Sequence, residues 1–290
     1  MLSIAQSSNY FHFVEWSPSE SGPKVLKFKK IKHNVDYFNK NLLNDLISDF
    51  NPVSKEESNS LTYSIDSNYV GLSSFAVDPK INLSEYISWY EKNMLNNYFL
   101  DTFDLFYYPI NDTNVMVISI NKKIKNNLVK SSIDLGYKMM NFTVDIFSAN
   151  QMVTQMYCEN KIQNYLLWKI DKNNHHYFLY IKNNKFQNLI KVRYSNKIVD
   201  YLVNVGVNEN EKILRNIESV LKGENGSTDK IFLYQTKIDT KDISNILNKN
   251  LDNLVLMDPS SFISMKGANK NKFKFLAYNE NGISLRGVDV

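Results

Sequence analysis

Cysteine is almost missing from this chain of 290 residues, which has one, Cys158. An intrachain disulfide and a cysteine-based zinc site are therefore excluded. The lone thiol falls at the end of an expected helix with no base beside it, which suits a buried structural group better than a nucleophile. Arginine (3 residues) and alanine (5) are scarce, whereas asparagine (40) and lysine (31) abound, a skew of the kind that codons rich in A and T produce. The net charge of +4 thus comes mainly from lysine, without the concentrated lysine and arginine face of a nucleic-acid surface. The densest basic group, Lys27, Lys29, Lys30 and Lys32, is interleaved with Phe28 and Ile31 as on the solvated edge of a strand. No nucleic-acid partner is expected.

Long hydrophobic runs are also lacking. Val115–Ile118 is typical, against the roughly 20 apolar residues that a membrane helix needs. The opening residues show no basic segment leading into an apolar one, so a secretory leader is not expected and a cytosolic location is. Only 9 glycines are present, and none falls in a Walker A loop, a paired-glycine dinucleotide fingerprint or a nucleophile elbow. The four histidines include the adjacent His175 and His176, which a strand would point to opposite faces, so they cannot share a metal from there. Asp101 and Asp104 read as turn chemistry at the start of a strand, and Asp171 in Asp171–Asn174 as part of a turn.

What is present is ample core material, 43% hydrophobic and 13% aromatic, enough to exclude disorder as the overall state. Its periodicity alternates between 2 and 3.6. Strands are expected at 2–5, 10–16 and 24–31, with a helix from Val35 to Phe50 stopped by Asn51-Pro52. Strands at 61–66 and 69–77 follow, then a helix from about Leu83, strands at 103–108 and 114–120, a helix over Lys122–Leu135 closed by Gly136, a strand at 138–144 and a helix at 146–157. The second half begins again with three strands, 165–170, 176–181 and 186–194. A helix at 209–222, a strand at 230–234, a helix at 240–249, a strand at 253–256, a short helix near 270–277 and a strand at 282–288 complete it. The expectation is two similar α/β lobes around a cleft, 1–157 and 158–290, with a segment of about 60–120 inserted in the first.

Two stretches add more than periodicity. Leu2 to Trp16, LSIAQSSNYFHFVEW, leads through a hairpin into Val25–Phe28 and resembles the opening of PilM-type pilus assembly proteins, members of the actin-like ATPase superfamily related to FtsA. The family's usual Asp-Ile-Gly-Ser-Ser-Ser-Ile-Lys-Val-Val-Glu-Leu aligns without gaps onto Ala5 to Trp16. The closing Gly282-Ile-Ser-Leu-Arg-Gly resembles the family's terminal Gly-Leu-Ala-Leu-Arg-Gly. The resemblance implies an actin-like, ribonuclease H-like fold of two duplicated lobes, with the insertion as its small extra subdomain.

It also implies where nucleotide chemistry would sit, and there the sequence departs from the pattern. The family's first phosphate turn places Asp on Ala5, Gly on Ser7 and Lys on His12. Its second falls on Lys169–Asn173, with Asp171 at the glycine, and its Gly-Gly adenosine turn falls on Gln235, Thr236 and Lys237. Such turns need glycine because backbone N–H groups must approach phosphate closely, and a carboxylate there repels it. A slip of two residues at the second turn would restore an aspartate but no glycine.

The resemblance therefore implies a retained fold without catalysis, cofactor or metal: a cytoplasmic scaffold of a type IV pilus or related secretion system, held at the inner membrane through protein partners. The implied partner is a PilN-like N-terminal tail captured by the inserted subdomain, with Trp89, Met94 and Tyr108 as groove candidates and self-association as a further possibility. Because the chain closes on an expected strand and not on an amphipathic helix, direct membrane insertion is not expected. The alternative is an active ATP-binding member of the superfamily, an ATPase or kinase, which the expected two-lobed cleft supports.

Overall fold

The computed structural model describes all residues except 8–9, 18–23, 54–58, 158–161, 208–210, 225–228, 237–238, 240, 250, 260–271 and 288–290. The first half runs β1 (Leu2–Ser7), β2 (Tyr10–Ser17), β3 (Lys24–Lys32), α1 (Leu42–Phe50), β4 (Ser60–Ile65), β5 (Val70–Ala76), α2 (Leu83–Met94), α3 (Asn97–Thr102), β6 (Phe103–Asn111), β7 (Asn114–Asn121), α4 (Lys122–Asp134), β8 (Lys138–Val144) and α5 (Asp145–Met152). The second runs β9 (Tyr165–Ile170), β10 (His175–Lys182), β11 (Lys185–Ser195), β12 (Ile198–Gly206), α6 (Glu211–Lys222), β13 (Lys230–Gln235), α7 (Lys241–Leu247), β14 (Leu254–Leu256) and a run of 3₁₀ turns, Lys272–Gly287.

Sheet topology makes the duplication explicit. The first sheet has the order β3-β2-β1-β4-β8 and the second β12-β11-β10-β9-β13-β14. Without β12 the two orders match, and so do the pairings. Two antiparallel hairpin contacts precede two parallel ones in each lobe. Central strands β1 and β9 are buried along their whole length, as strands covered on both faces must be. The chain is mixed α/β with repeated halves, as expected.

Four local expectations change. The helix expected from Val35 starts at Leu42. Before it, Asp36 and Asn39 accept hydrogen bonds from the N–H groups of Phe38 and Asn41, local turns that compete with helix. The segment expected as an insertion from residue 60 is shorter, because β4 pairs with β1 and β8 in the first sheet; the separate three-stranded sheet β5-β7-β6 starts at Val70. Strand β12 was not expected. Its hairpin turn uses Asn196 and Lys197, both left-handed (φ 52° and 64°), where Asn-Gly is the usual signal.

Finally, the strand expected at 282–288 is absent from its described part, 282–287, which continues the 3₁₀ run. There Asn279 Nδ2 donates to the carbonyls of Leu276 and Met257, and Ser284 Oγ to that of Asn281. These bonds fold the segment onto itself and onto Met257 after β14, and Ser148 Oγ of α5 donates to the Glu280 carbonyl at 2.6 Å. Residues 158–161, where the lobes were expected to join, lie outside the described residues, as does Cys158.

Two apolar clusters fill the interior. One lies within the first lobe, where Leu42, Leu43, Leu46, Ile47 and Phe50 of α1 join apolar residues of β1, β2, β4 and α4, with Phe50 stacked on Phe13. The other runs from the second lobe through Ile146, Ala149 and Met152 of α5 to Met116, Ile118 and Ile120 on one face of the small sheet. The lobes therefore share a packed interface.

Candidate functional site

The repeated sheet topology brings the ends of β1, β9 and β13 together, and the site is built on those ends. Ala5, Ser7 and His12, from the first hairpin, are all buried. Ser7 Oγ donates a short hydrogen bond to Glu280. The His12 ring packs edge-on against Tyr278, with centroids 5.0 Å apart. Burial, reinforced by the Lys30 charge, holds this imidazole down at about 3, so it is neutral at ordinary pH.

The second turn begins at Asp171, directly after β9. Its carboxylate accepts from the Lys172 N–H at 2.8 Å and from Thr236 Oγ1 at 3.0 Å. Thr236, at the end of β13, also donates its N–H to the Ile170 carbonyl. Asp171 and Thr236 are thus brought together, while Gln235 Nε2 reaches the Asp239 carbonyl and Lys237 lies outside the described residues. Burial alone would raise the Asp171 pKa, but the Lys169 charge, with its hydrogen bonds, holds it below the usual range. Asp171, read from the sequence as a turn residue, is buried, and its carboxylate is turned back onto the backbone N–H that follows it. After it, Asn173 and Asn174 take left-handed φ of 58° and 56°, a region that asparagine tolerates better than other side chains.

Beneath the turns lies a cluster that sequence reasoning missed. Lys169 Nζ sits 2.6 Å from Asp145 and 2.8 Å from Glu280, and all three side chains are fully buried. Asp145 opens α5 and also accepts from the Ser67 N–H at 3.0 Å. Tyr234 OH donates to Glu280 at 3.3 Å, and Lys169 Nζ lies 5.3 Å from the centre of the Tyr177 ring. Burial pushes Glu280 up to about 8 and Asp145 up to about 6, with Lys169 opposing both shifts. For Lys169, burial is outweighed by the two carboxylates, which hold it well above its ordinary value. Nearby, Asn68 Oδ1 accepts from Tyr177 OH at 3.2 Å and Lys191 Nζ at 3.0 Å, bridging the lobes again. The available signal was a lone lysine within the apolar strand Tyr165–Ile170.

The opposite face of the second sheet carries a cavity of about 500 Å³ beside Trp168, His176 and Tyr194. His176 accepts from Trp168 Nε1 there at 3.0 Å, whereas Tyr177 turns toward Lys169. Two of the clustered lysines are not merely solvated. Lys27 and Lys29 donate to the carbonyls of Asn51 and Asp49 at the end of α1, which has no basic residue of its own in its last turn.

The groove candidates divide. Trp89 and Met94 lie on α2, 50% and 62% exposed. This helix packs on Phe75 through Tyr86 and Tyr90, and Glu91 accepts from Tyr107 OH at 2.9 Å. Tyr108 follows Tyr107 in β6 and therefore points to the other face of the sheet, the side of Phe106 and Asp104, which meet Lys125. The structure does not gather the three on one face.

No family model matches the chain, and no curated protein matches its sequence. Among solved structures, the PilM–PilN type IV pilus biogenesis complex aligns with 100% of this chain and 98% of its own at a TM-score of 0.67 and 13% identity. A Bacteroides thetaiotaomicron protein with an actin-like ATPase fold aligns at 0.49 and 11% identity, over 91% of this chain and 95% of its own. The cytoplasmic domain of EpsL, an inner-membrane component of the Vibrio cholerae type II secretion system, aligns at 0.49 and 9%, over 100% and 95%. The chain has the actin-like ATPase fold. Among the described residues, no helix is long and apolar enough to cross a membrane.

Proposed function

We propose that this protein is a non-catalytic scaffold of a type IV pilus or related secretion system, cytoplasmic and held at the inner membrane by a partner's N-terminal tail. The observation that carries the reading is the commitment of the cleft's polar groups to one another. Lys169 serves Asp145 and Glu280, and the Lys172 N–H serves Asp171. A polyphosphate entering there would displace internal hydrogen bonds and meet the Asp171 charge. The likeness over the full chain to a pilus biogenesis complex supports the choice of system. Trp89 and Met94 on α2, and Tyr108 on the other side of the small sheet, are among the exposed aromatic and thioether groups that the small subdomain offers to a tail.

A second reading, an ATP-binding ATPase or kinase, is favoured by the left-handed Asn173 and Asn174, which keep a glycine-like turn. A thermal-shift titration with ATP and Mg²⁺ up to millimolar concentration separates the two. A ligand at a hundred times its Kd adds about 2.7 kcal/mol. An unchanged melting temperature is expected, and a clear rise overturns the scaffold reading. The partner is then tested by calorimetric titration with the N-terminal peptide of a membrane protein from the same operon.

A further inference from the structure

The cluster at the lobe interface is unbalanced in charge. Lys169 supplies one positive group from β9, while Asp145 from α5 and Glu280 from the C-terminal run supply two carboxyl groups, none of them exposed to water. Each contact joins different elements: Lys169 to Asp145 across the lobes, Glu280 to Ser7 in the first lobe and to Lys169 and Tyr234 in the second. Charged and titratable groups also face the cluster from every side. Asp66 lies at the end of β4, Asp171 on the second turn, Lys191 on β11, Tyr177 on β10 and His12 on β2. Lys191 donates to Asn68 and its charge is shared among Asp171, Asp66 and Asp145, and burial keeps His12 neutral, so two lysines face the four carboxyl groups Asp145, Glu280, Asp66 and Asp171.

We propose that Lys169, Asp145 and Glu280 form a proton-operated latch between the lobes. One proton held by the two carboxyl groups makes the cluster neutral and keeps it closed; loss of that proton leaves one unpaired negative charge in a water-excluded site and releases it. The elements that move are those that carry the carboxyl groups. α5 and the run Lys272–Gly287 cross in close contact, and a Cβ on Gly282 would strike the Ser148 carbonyl. The upward shift of Glu280 to about 8 fits the proton's residing there. The sign follows from linkage: closing takes up a proton that the open, hydrated cluster releases, so acid favours closure and alkali favours opening.

Amide hydrogen exchange of the full chain, corrected for intrinsic rates and read peptide by peptide, tests the latch. In peptides covering α5 and 272–287 the opening constant should rise about tenfold per pH unit between pH 6 and 7.5 and level off above about 8, as one-proton linkage requires. Core strand β13 should not follow. Glu280→Gln should remove the dependence while leaving the protein folded. A pH-independent opening, a rise shared equally by the whole chain, or the same slope in Glu280→Gln overturns the proposal. Should that variant fail to fold, carboxyl-carbon NMR of glutamate-labelled wild-type protein decides: one glutamate titrating near 8 supports the latch, and all titrating in the ordinary range sinks it.

Discussion

The floor of the cleft and the outer helix of the small subdomain distribute polarity in opposite ways. At the floor, Lys169, Asp145 and Glu280 occupy fully buried positions that carbon side chains would fill at lower cost. On α2 no residue is buried, and Trp89 and Met94 stand in solvent. Stability alone would favour the reverse arrangement. Charge at a buried centre makes the interface conditional on protonation, and apolar area on an exposed helix leaves a surface with something to gain from a partner. The two regions show two different departures from the demands of folding, buried charge at the centre and exposed apolar area on the small subdomain.

The sharpest way to break the contrast is to remove the one cation. Lys169→Met leaves two buried carboxyl groups without their partner, and we expect about 3–5 kcal/mol of destabilisation in urea unfolding at pH 7.5. Lys169→Met combined with Asp145→Asn and Glu280→Gln removes every charge of the cluster and should recover most of that loss. If the single variant unfolds no more easily than wild type, the cluster is hydrated in solution and the contrast with α2 disappears.

A second effect has the opposite pH sign from the latch. Buried His12 binds its proton less readily when folded, at about 3, than at the ordinary 6.5 of an unfolded chain. The unfolded state therefore holds more protons between those values. Stability contributed by the neutral ring is complete above about 6.5 and falls as pH drops, by up to about 1.4 kcal/mol per unit. Over the same range the raised Glu280 and Asp145 act in the opposite direction, so the test is the difference in stability between wild type and His12→Gln, which chemical denaturation should find shrinking as pH drops from 7 to 4. A difference that does not change with pH would remove His12 from the account; Asp171, held below the usual carboxylate range, acts in the same direction only at pH below about 4.

Gly282 connects the floor with what the sequence could and could not reveal. The closing Gly-Ile-Ser-Leu-Arg-Gly resembled a family motif, and the physical reason for its first glycine is the approach of Ser148 and Met152 on α5. Gly282→Ala should cost about 1–3 kcal/mol, by overpacking, in thermal or urea unfolding. The strands and helices were largely legible because their apolar periodicity is strong: α1 buries Leu42, Leu43, Leu46, Ile47 and Phe50, although Phe38, at the same spacing, lies before the helix and is half exposed. The hairpin into β12 was not, because Asn196 and Lys197 do with side chains present what glycine does openly. Nor was the charged cluster, since Lys169, Asp145 and Glu280 are far apart in the chain and only the crossing of α5 with the C-terminal run unites them. At the second turn the sequence showed a charge but not its direction, and the Thr236 hydroxyl that turns Asp171 inward is 65 residues away.

The smallest effect on stability belongs to α2, and there it is informative. Met94→Ala should change unfolding free energy by no more than about 0.5 kcal/mol, and Trp89→Ala by less than about 1 kcal/mol, because the half-exposed indole gives up only a tilted contact with Tyr86 at 5.4 Å. Tyr90→Ala on the same helix should cost more, since its ring stacks on Phe75 at 4.2 Å. If the small subdomain captures a tail along α2, Trp89→Ala weakens peptide binding at least tenfold at nearly unchanged stability, while Tyr108→Ala, on the other face, leaves it intact. The reverse order would move the groove to the face shared with Phe106 and Lys125. A larger loss of stability in Trp89→Ala would make the helix a structural strut and end the contrast between a conditional centre and an available surface.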